Sequence, residues 1–164
     1  LKISKEISDF GGKCLITKLK IPDDMDLLEK LGEFNQVYYF PTPKIFGKRS
    51  VDYDKNLYNS FYEIYVSSFK RLVNYFNKQS TKISIFYPSS IVINNPLPEL
   101  SEYTDAKIEG EKLCKEFNSL KNISILVSRI PRTRTDQTMS LLEAKSENPE
   151  DVMLPIIREM PHSV

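Results

Sequence analysis

The sequence predicts an α/β domain: a parallel sheet with flanking helices. Two observations carry that reading. Short, β-branched apolar runs alternate with longer stretches of helical periodicity, and each run has a glycine or proline close by. Strands and helices in such alternation are joined by right-handed crossovers, which lay the strands side by side and put the helices on the faces of the sheet.

Residues 1–10 alternate polar and apolar side chains like the interior of a domain. Gly11 and Gly12 signal a turn, and residues 13–19 are β-branched and apolar enough for a first strand. Pro22, Asp23 and Asp24 open a helix, with the acidic pair at the favourable end of the dipole and Met25, Leu27, Leu28 and Leu31 on its apolar face; Gly32 ends it. Residues 37–40 form a second strand, stopped by Pro41 and Pro43, and a loop with Gly47 and several cations runs to about Ser50. Residues 52–77 read as one long helix free of Pro and Gly. Its apolar positions, among them Tyr58, Phe61, Tyr65, Phe69 and Phe76, cover more than one face, so one side packs on the sheet and the other is left for a neighbour or a second subunit. A third strand at 82–87, a Lys- and Glu-rich helix at 103–118 and a fourth strand at 123–127 complete the alternation. Beyond Pro131 the pattern weakens into a short helix at 139–144, a polar stretch at 146–151 and an apolar segment at 152–157 interrupted by Pro155.

With 164 residues and 40% apolar content the chain is the size of one domain, residues 1–164, with its core in 12–131 and a C-terminal segment in 132–164. A formal charge of +1 calls for neither nucleic acid nor an anionic membrane as partner, and no apolar run approaches the roughly 20 residues of a membrane span. Cys14 and Cys114 stand far apart and lack a Cys-x-x-Cys partner. Reduced, buried thiols in a cytoplasmic protein are therefore expected, with no metal site. Because the chain opens on Leu1 with an interior-like pattern, a piece of something longer is expected.

In an open parallel sheet the ligand crevice lies beyond the carboxyl ends of the strands, so the residues following each strand are the informative ones. The third strand runs into Pro88, Ser89 and Ser90. Thirteen residues after Ser90 comes Tyr103, and Lys107 follows one helical turn later on the same face. A free tyrosine has a pKa of about 10, and a nearby ammonium group lowers it toward working pH, making a proton donor. A serine hydroxyl facing it can hydrogen-bond a carbonyl oxygen or a developing alkoxide.

Tyr103 to Lys107 with the following Gly110-Glu111, the Ser89-Ser90 segment before it, and a strand ending at Arg129-Ile130-Pro131 together resemble the catalytic half of the short-chain dehydrogenases/reductases. Gly110-Glu111 is closer to the family's extended, epimerase-like members. The resemblance implies a Rossmann fold and a Ser90, Tyr103 and Lys107 catalytic set. It further implies that Lys107, Pro131 and Thr133 contact the nicotinamide cofactor and that Ser89, Arg132 and Arg134 contact substrate. NADP or NAD is implied where the fold is complete, and no cofactor for this chain alone. Partners implied are a missing N-terminal half or a larger multidomain enzyme, and a homodimer formed through the helices at 52–77 and 103–118.

Several positions depart from that family. The five glycines, at 11, 12, 32, 47 and 110, compose no Gly-x-x-x-Gly-x-Gly or Gly-x-Gly-x-x-Gly, so the amides that would hold pyrophosphate are missing. Pro41-Thr42-Pro43 replaces the Asn-Ala-Gly expected after the second strand, Glu63 falls near the expected helix asparagine, and no acidic residue follows the first strand. In the family's sheet order, 3-2-1-4-5-6, two absent strands would lie between the strands at 13–19 and 37–40. A truncated or incomplete Rossmann fold is thus expected: either the 13–19 strand pairs directly with 37–40, or another segment supplies the missing strands. Two functions compete, an NAD(P)-dependent oxidoreductase acting on a carbonyl or hydroxyl group, and a non-catalytic reductase-like scaffold such as those beside ketoreductases of polyketide and fatty acid synthases. Arg129, Arg132 and Arg134 form either an anion fork or a solvated basic loop. Asp136-Gln137-Thr138 reads as a helix cap, and His162 as a terminal residue without a role in catalysis.

Overall fold

The computed structural model describes residues 2–21, 23–45, 52–133 and 146–161. Three parallel strands, β1 (Gln36–Tyr38), β2 (Ile83–Ser90) and β3 (Ile123–Ile130), pair in the order β1-β2-β3. Val37 stands opposite Ile85, and Ile85 opposite Ile125. The helices preceding β1 are α1 (Lys2–Asp9) and α2 (Met25–Lys30). Between β1 and β2 run α3 (Lys55–Tyr62), a π-helical turn (Glu63–Ser68) and α4 (Phe69–Asn77). α5 (Ser101–Phe117) joins β2 to β3, and α6 (Pro149–Glu159) follows β3.

Alternation along β2 sorts its side chains between two cores. Ile83, Ile85 and Tyr87 join Phe61, Phe69, Val73, Phe76, Ala106 and Cys114 beneath α3, α4 and α5. Phe86 points the other way, into a smaller core with Ile156 and Met160 at α6. All eight residues of β2 are buried, as befits a central strand covered on both faces. The α/β class and the parallel sheet with flanking helices are present, and three strands make a partial Rossmann fold.

Several elements differ from expectation. Residues 13–20 adopt no regular structure, and Leu15 and Ile16 are 76% and 50% exposed. A strand needs a ladder partner for its N–H and C=O groups, and among the described residues none is offered. The expected pairing of 13–19 with the strand at 37–40 is therefore not made; among the described residues β1 pairs with β2 alone. β2 continues through Pro88, Ser89 and Ser90 instead of ending before them. Pro88 is tolerated there because the even-numbered residues of β2 turn their backbone toward β1: Ser84 N–H donates to Asn35 and the Phe86 carbonyl accepts from Tyr39. The site that would need a Pro88 N–H lies past the end of β1. The apolar segment around Pro155 is helical, with Asn148 accepting from Glu150 N–H as the N-cap, Pro149 in the first turn and Arg158 in the last.

The long helix starts at Lys55, capped by Asp54, whose carboxylate accepts from the N–H groups of Asn56 (2.8 Å) and Leu57 (3.2 Å). Asp54 N–H donates to buried Glu102 of α5 at 2.6 Å, tying the starts of the two helices together. Asp54→Ala is expected to cost about 1 kcal/mol of stability, read as a lower urea midpoint with unchanged slope. Midway, the π turn widens the ladder, and two of its carbonyls take tyrosine hydroxyls: Tyr39 donates to Ile64 O at 2.7 Å and Tyr87 to Tyr65 O at 3.1 Å. On the outer surface Tyr53, Tyr58 and Tyr62 form a ladder of rings with centroids 6.1 and 5.7 Å apart. No helix among the described residues is long and apolar enough to cross a membrane.

Candidate active site at the end of the central strand

Ser90 is the last residue of β2, in extended conformation, and its hydroxyl accepts from Val92 N–H at 3.3 Å, capping the turn Ile91–Ile93. Tyr103 enters from the first turn of α5, and Lys107 from the next. All three are buried. The Tyr103 ring meets Phe61 and Tyr65 edge-on, with centroids 5.6 and 5.8 Å away. Burial pushes the Tyr103 phenol above its ordinary range, and a hydrogen bond with Ser90 pulls the other way. The downward shift expected from Lys107 is thus not the net direction, because desolvation of the phenolate dominates.

Lys107 explains why its charge does not reach outward. Its Nζ donates to the Pro88 carbonyl at 2.6 Å, the carbonyl left beyond the end of β1. The ammonium lies 3.7 Å from the centroid of the Tyr65 ring, with Tyr87 at 5.1 Å and Tyr103 at 5.9 Å. Burial pushes the Lys107 amine down to about 7, against the opposing fields of Cys114 and Glu111. The amine is therefore balanced between its charged and neutral forms near neutral pH.

Ser89 points to the other side of the strand end and donates to Glu111 at 2.5 Å. Glu111 also receives a two-pronged contact from Arg129, Nε at 2.8 Å and Nη2 at 2.7 Å, and Arg129 Nη1 donates to Asn94 at 2.5 Å. The Arg129 side chain, and the oxygens of Ser89 and Glu111, hold the ends of β2 and β3 to α5. Arg129 accordingly belongs to a structural clamp. Hydrogen bonds from Arg129 and Ser89 hold the Glu111 carboxyl below its usual range. Arg132 is half-buried, with its carbonyl accepting from Glu147 N–H at 2.8 Å, and Thr133 forms an isolated bridge with Glu147. Pro131 lines an open pocket of about 280 Å³ between the end of β3 and α6. Arg134, the 136–138 cap, the helix at 139–144 and His162 lie outside the described residues.

Comparison with solved structures places the fold. A short chain dehydrogenase/reductase family protein superposes with a TM-score of 0.69 at 17% identity, over 94% of this chain and 72% of that one. Its fold is that of the short-chain dehydrogenases/reductases. Acetoin dehydrogenase from Enterobacter cloacae gives a TM-score of 0.76 at 14% identity, over 98% of this chain and 73% of that one. Alcohol dehydrogenase from the archaeon Thermococcus sibiricus, complexed with 5-hydroxy-NADP, gives 0.73 at 15%, over 99% and 76%. No protein-family model and no curated protein matches the sequence.

Within this reductase-type fold, Ser90, Tyr103 and Lys107 converge at the carboxyl end of β2, where a doubly wound sheet opens its crevice. Sequence reasoning missed the residues that surround them. Tyr65 and Tyr87, which wall in Lys107, look like any core aromatic in the helical and strand patterns. Glu111 offered a signal, since it follows Lys107 by one turn and continues its face of the helix. Gly110 offered another as the lone glycine within a helix pattern: a Cβ there would stand 2.7 Å from the Tyr87 ring and 3.3 Å from Tyr65 O.

Proposed function

We propose that this chain carries the proton-handling half of an NAD(P)-dependent oxidoreductase acting on a carbonyl or hydroxyl group. The convergence of Ser90, Tyr103 and Lys107 at the end of the central strand carries the reading. Ser90 would orient the substrate oxygen, and Tyr103, kept protonated by burial, would give it a proton. Lys107, one turn along α5, would hold a ribose hydroxyl and restore the charge balance beneath the phenol. A bound nicotinamide would supply the hydride. These side chains suit the nicotinamide end of such a cofactor in kind, and Pro131 and Thr133 would border it from the end of β3. In the arrangement described, however, the Lys107 ammonium is closed over by Tyr65.

That closure favours a second reading in which the fold is a non-catalytic scaffold and the Tyr-Lys pair is internal structure. Fluorescence titration of NADPH and NADH against the full-length polypeptide separates the two. Saturable binding is expected, weakened at least tenfold by Lys107→Ala, and Tyr103→Phe should abolish reduction of any carbonyl compound turned over while leaving binding intact. Absence of binding by the full-length polypeptide would leave the scaffold reading standing.

A further inference from the structure

We infer that Thr42 and Tyr65 form a latch that controls access to Lys107. This rests on the proposed function only for what Lys107 would bind; the latch itself rests on geometry. The Tyr65 ring covers the ammonium at 3.7 Å, and Lys107 is 5% exposed. Three contacts hold the ring there. It stacks on Phe61 at 5.9 Å, meets Tyr103 edge-on at 5.8 Å, and its hydroxyl is hydrogen-bonded to Thr42.

The first two contacts come from helices α3 and α5, within the main core. Thr42 instead belongs to the segment that leaves the carboxyl end of β1, where the crevice of this fold begins. Because the Thr42 hydroxyl donates to the Pro43 carbonyl at 3.1 Å, it accepts from Tyr65, giving an ordered chain from phenol to threonine to backbone. Pro41 and Pro43 fix the backbone on either side, so the acceptor is presented by a stiff segment. The Pro-Thr-Pro that stands in place of a glycine-bearing loop thus has a use: it pins the ring that shields the amine. A ribose hydroxyl can approach Lys107 only when the Tyr65 phenol has left Thr42.

Reductive methylation with formaldehyde, followed by peptide mass mapping, tests this without any cofactor. In the wild-type protein Lys107 is expected to react at least tenfold more slowly than exposed Lys112 and Lys115. Thr42→Val removes the acceptor at nearly constant volume, and Tyr65→Phe removes the donor but keeps the ring; each is expected to speed modification of Lys107 at least fivefold. Cys114, fully buried on the same helix, is the control and should stay unreactive to a thiol reagent in both variants. Rapid methylation of wild-type Lys107, unchanged rates in both variants, or exposure of Cys114 together with Lys107 would each overturn the latch, the last by showing that the whole helix had loosened. If Lys107 is unmasked as expected yet NADPH never binds the full-length polypeptide, the latch stands and the oxidoreductase reading fails.

Discussion

Gly110→Ala is expected to destabilise the fold by about 3 kcal/mol, although alanine is the better helix former. Helix propensity favours the substitution by roughly 1 kcal/mol. Against it stands overpacking, typically 1–3 kcal/mol and occasionally more where neighbours cannot yield. Here they cannot. The new methyl would overlap the Tyr87 hydroxyl and stand 2.7 Å from the ring carbon behind it, a separation that real Cβ atoms essentially never show. Tyr87 is fully buried, bonded to Tyr65 O, and packed on Phe69 and Tyr39 at 4.7 and 6.5 Å. Moving the ring would strip the π turn of a hydrogen bond, and moving α5 instead would carry Tyr103 and Lys107 away from β2. Denaturant titration should therefore show a lower midpoint with an unchanged slope. Tyr87→Leu removes both clashing atoms and leaves only the 3.3 Å approach to Tyr65 O, so in that background Gly110→Ala should cost much less than in the wild type. Additive effects in the double variant would refute the account.

That clash also marks where sequence reasoning stopped. The Tyr103 and Lys107 pair was legible because one helical turn separates two polar residues just after a strand and a Ser-Ser pair, and periodicity alone puts them on one face. The parallel α/β class was legible for the same reason, through the alternation of periods. What escaped is long-range. Residues 13–19 have the composition of a strand, but composition cannot supply a partner strand, and without one the segment stays irregular. Pro88 and Pro155 read as interruptions, yet one sits past the last residue of β2 that pairs with β1 and the other on the exposed side of α6. The direction of the Tyr103 shift escaped too, since spacing shows a nearby lysine but not the rings of Tyr65 and Tyr87 that seal both groups from water. Tertiary packing decided each of these.

Burial of Lys107 has a consequence for stability, which should rise from neutral pH to about pH 9, level off, and fall above about pH 10. The folded amine titrates at about 7, whereas the unfolded one titrates at 10.5. Between those values the unfolded chain binds a proton that the folded chain does not, so stability increases with pH by up to about 1.4 kcal/mol per unit. Below pH 7 both forms are protonated and the full penalty persists. Cys114 works in the opposite sense: burial pushes its thiol from 9.0 up to about 12, so above pH 9 the unfolded chain loses a proton that the folded chain keeps, and stability declines. Tyr39, Tyr65, Tyr87 and Tyr103, all raised by burial, add to that decline once free tyrosine begins to ionise near 10. Lys107→Met keeps most of the volume and removes the titrating group, at the expense of leaving the Pro88 carbonyl without its donor. The variant should lose the rise between pH 7 and 9, which is worth about 2 kcal/mol in the wild type, and keep the alkaline fall. Urea midpoints measured at half-unit steps from pH 6 to 10.5 decide the matter. A wild-type profile flat between pH 7 and 9, or a Lys107→Met profile with the same slope, would mean that the amine finds water or a counter-charge and that the aromatic cage is not closed.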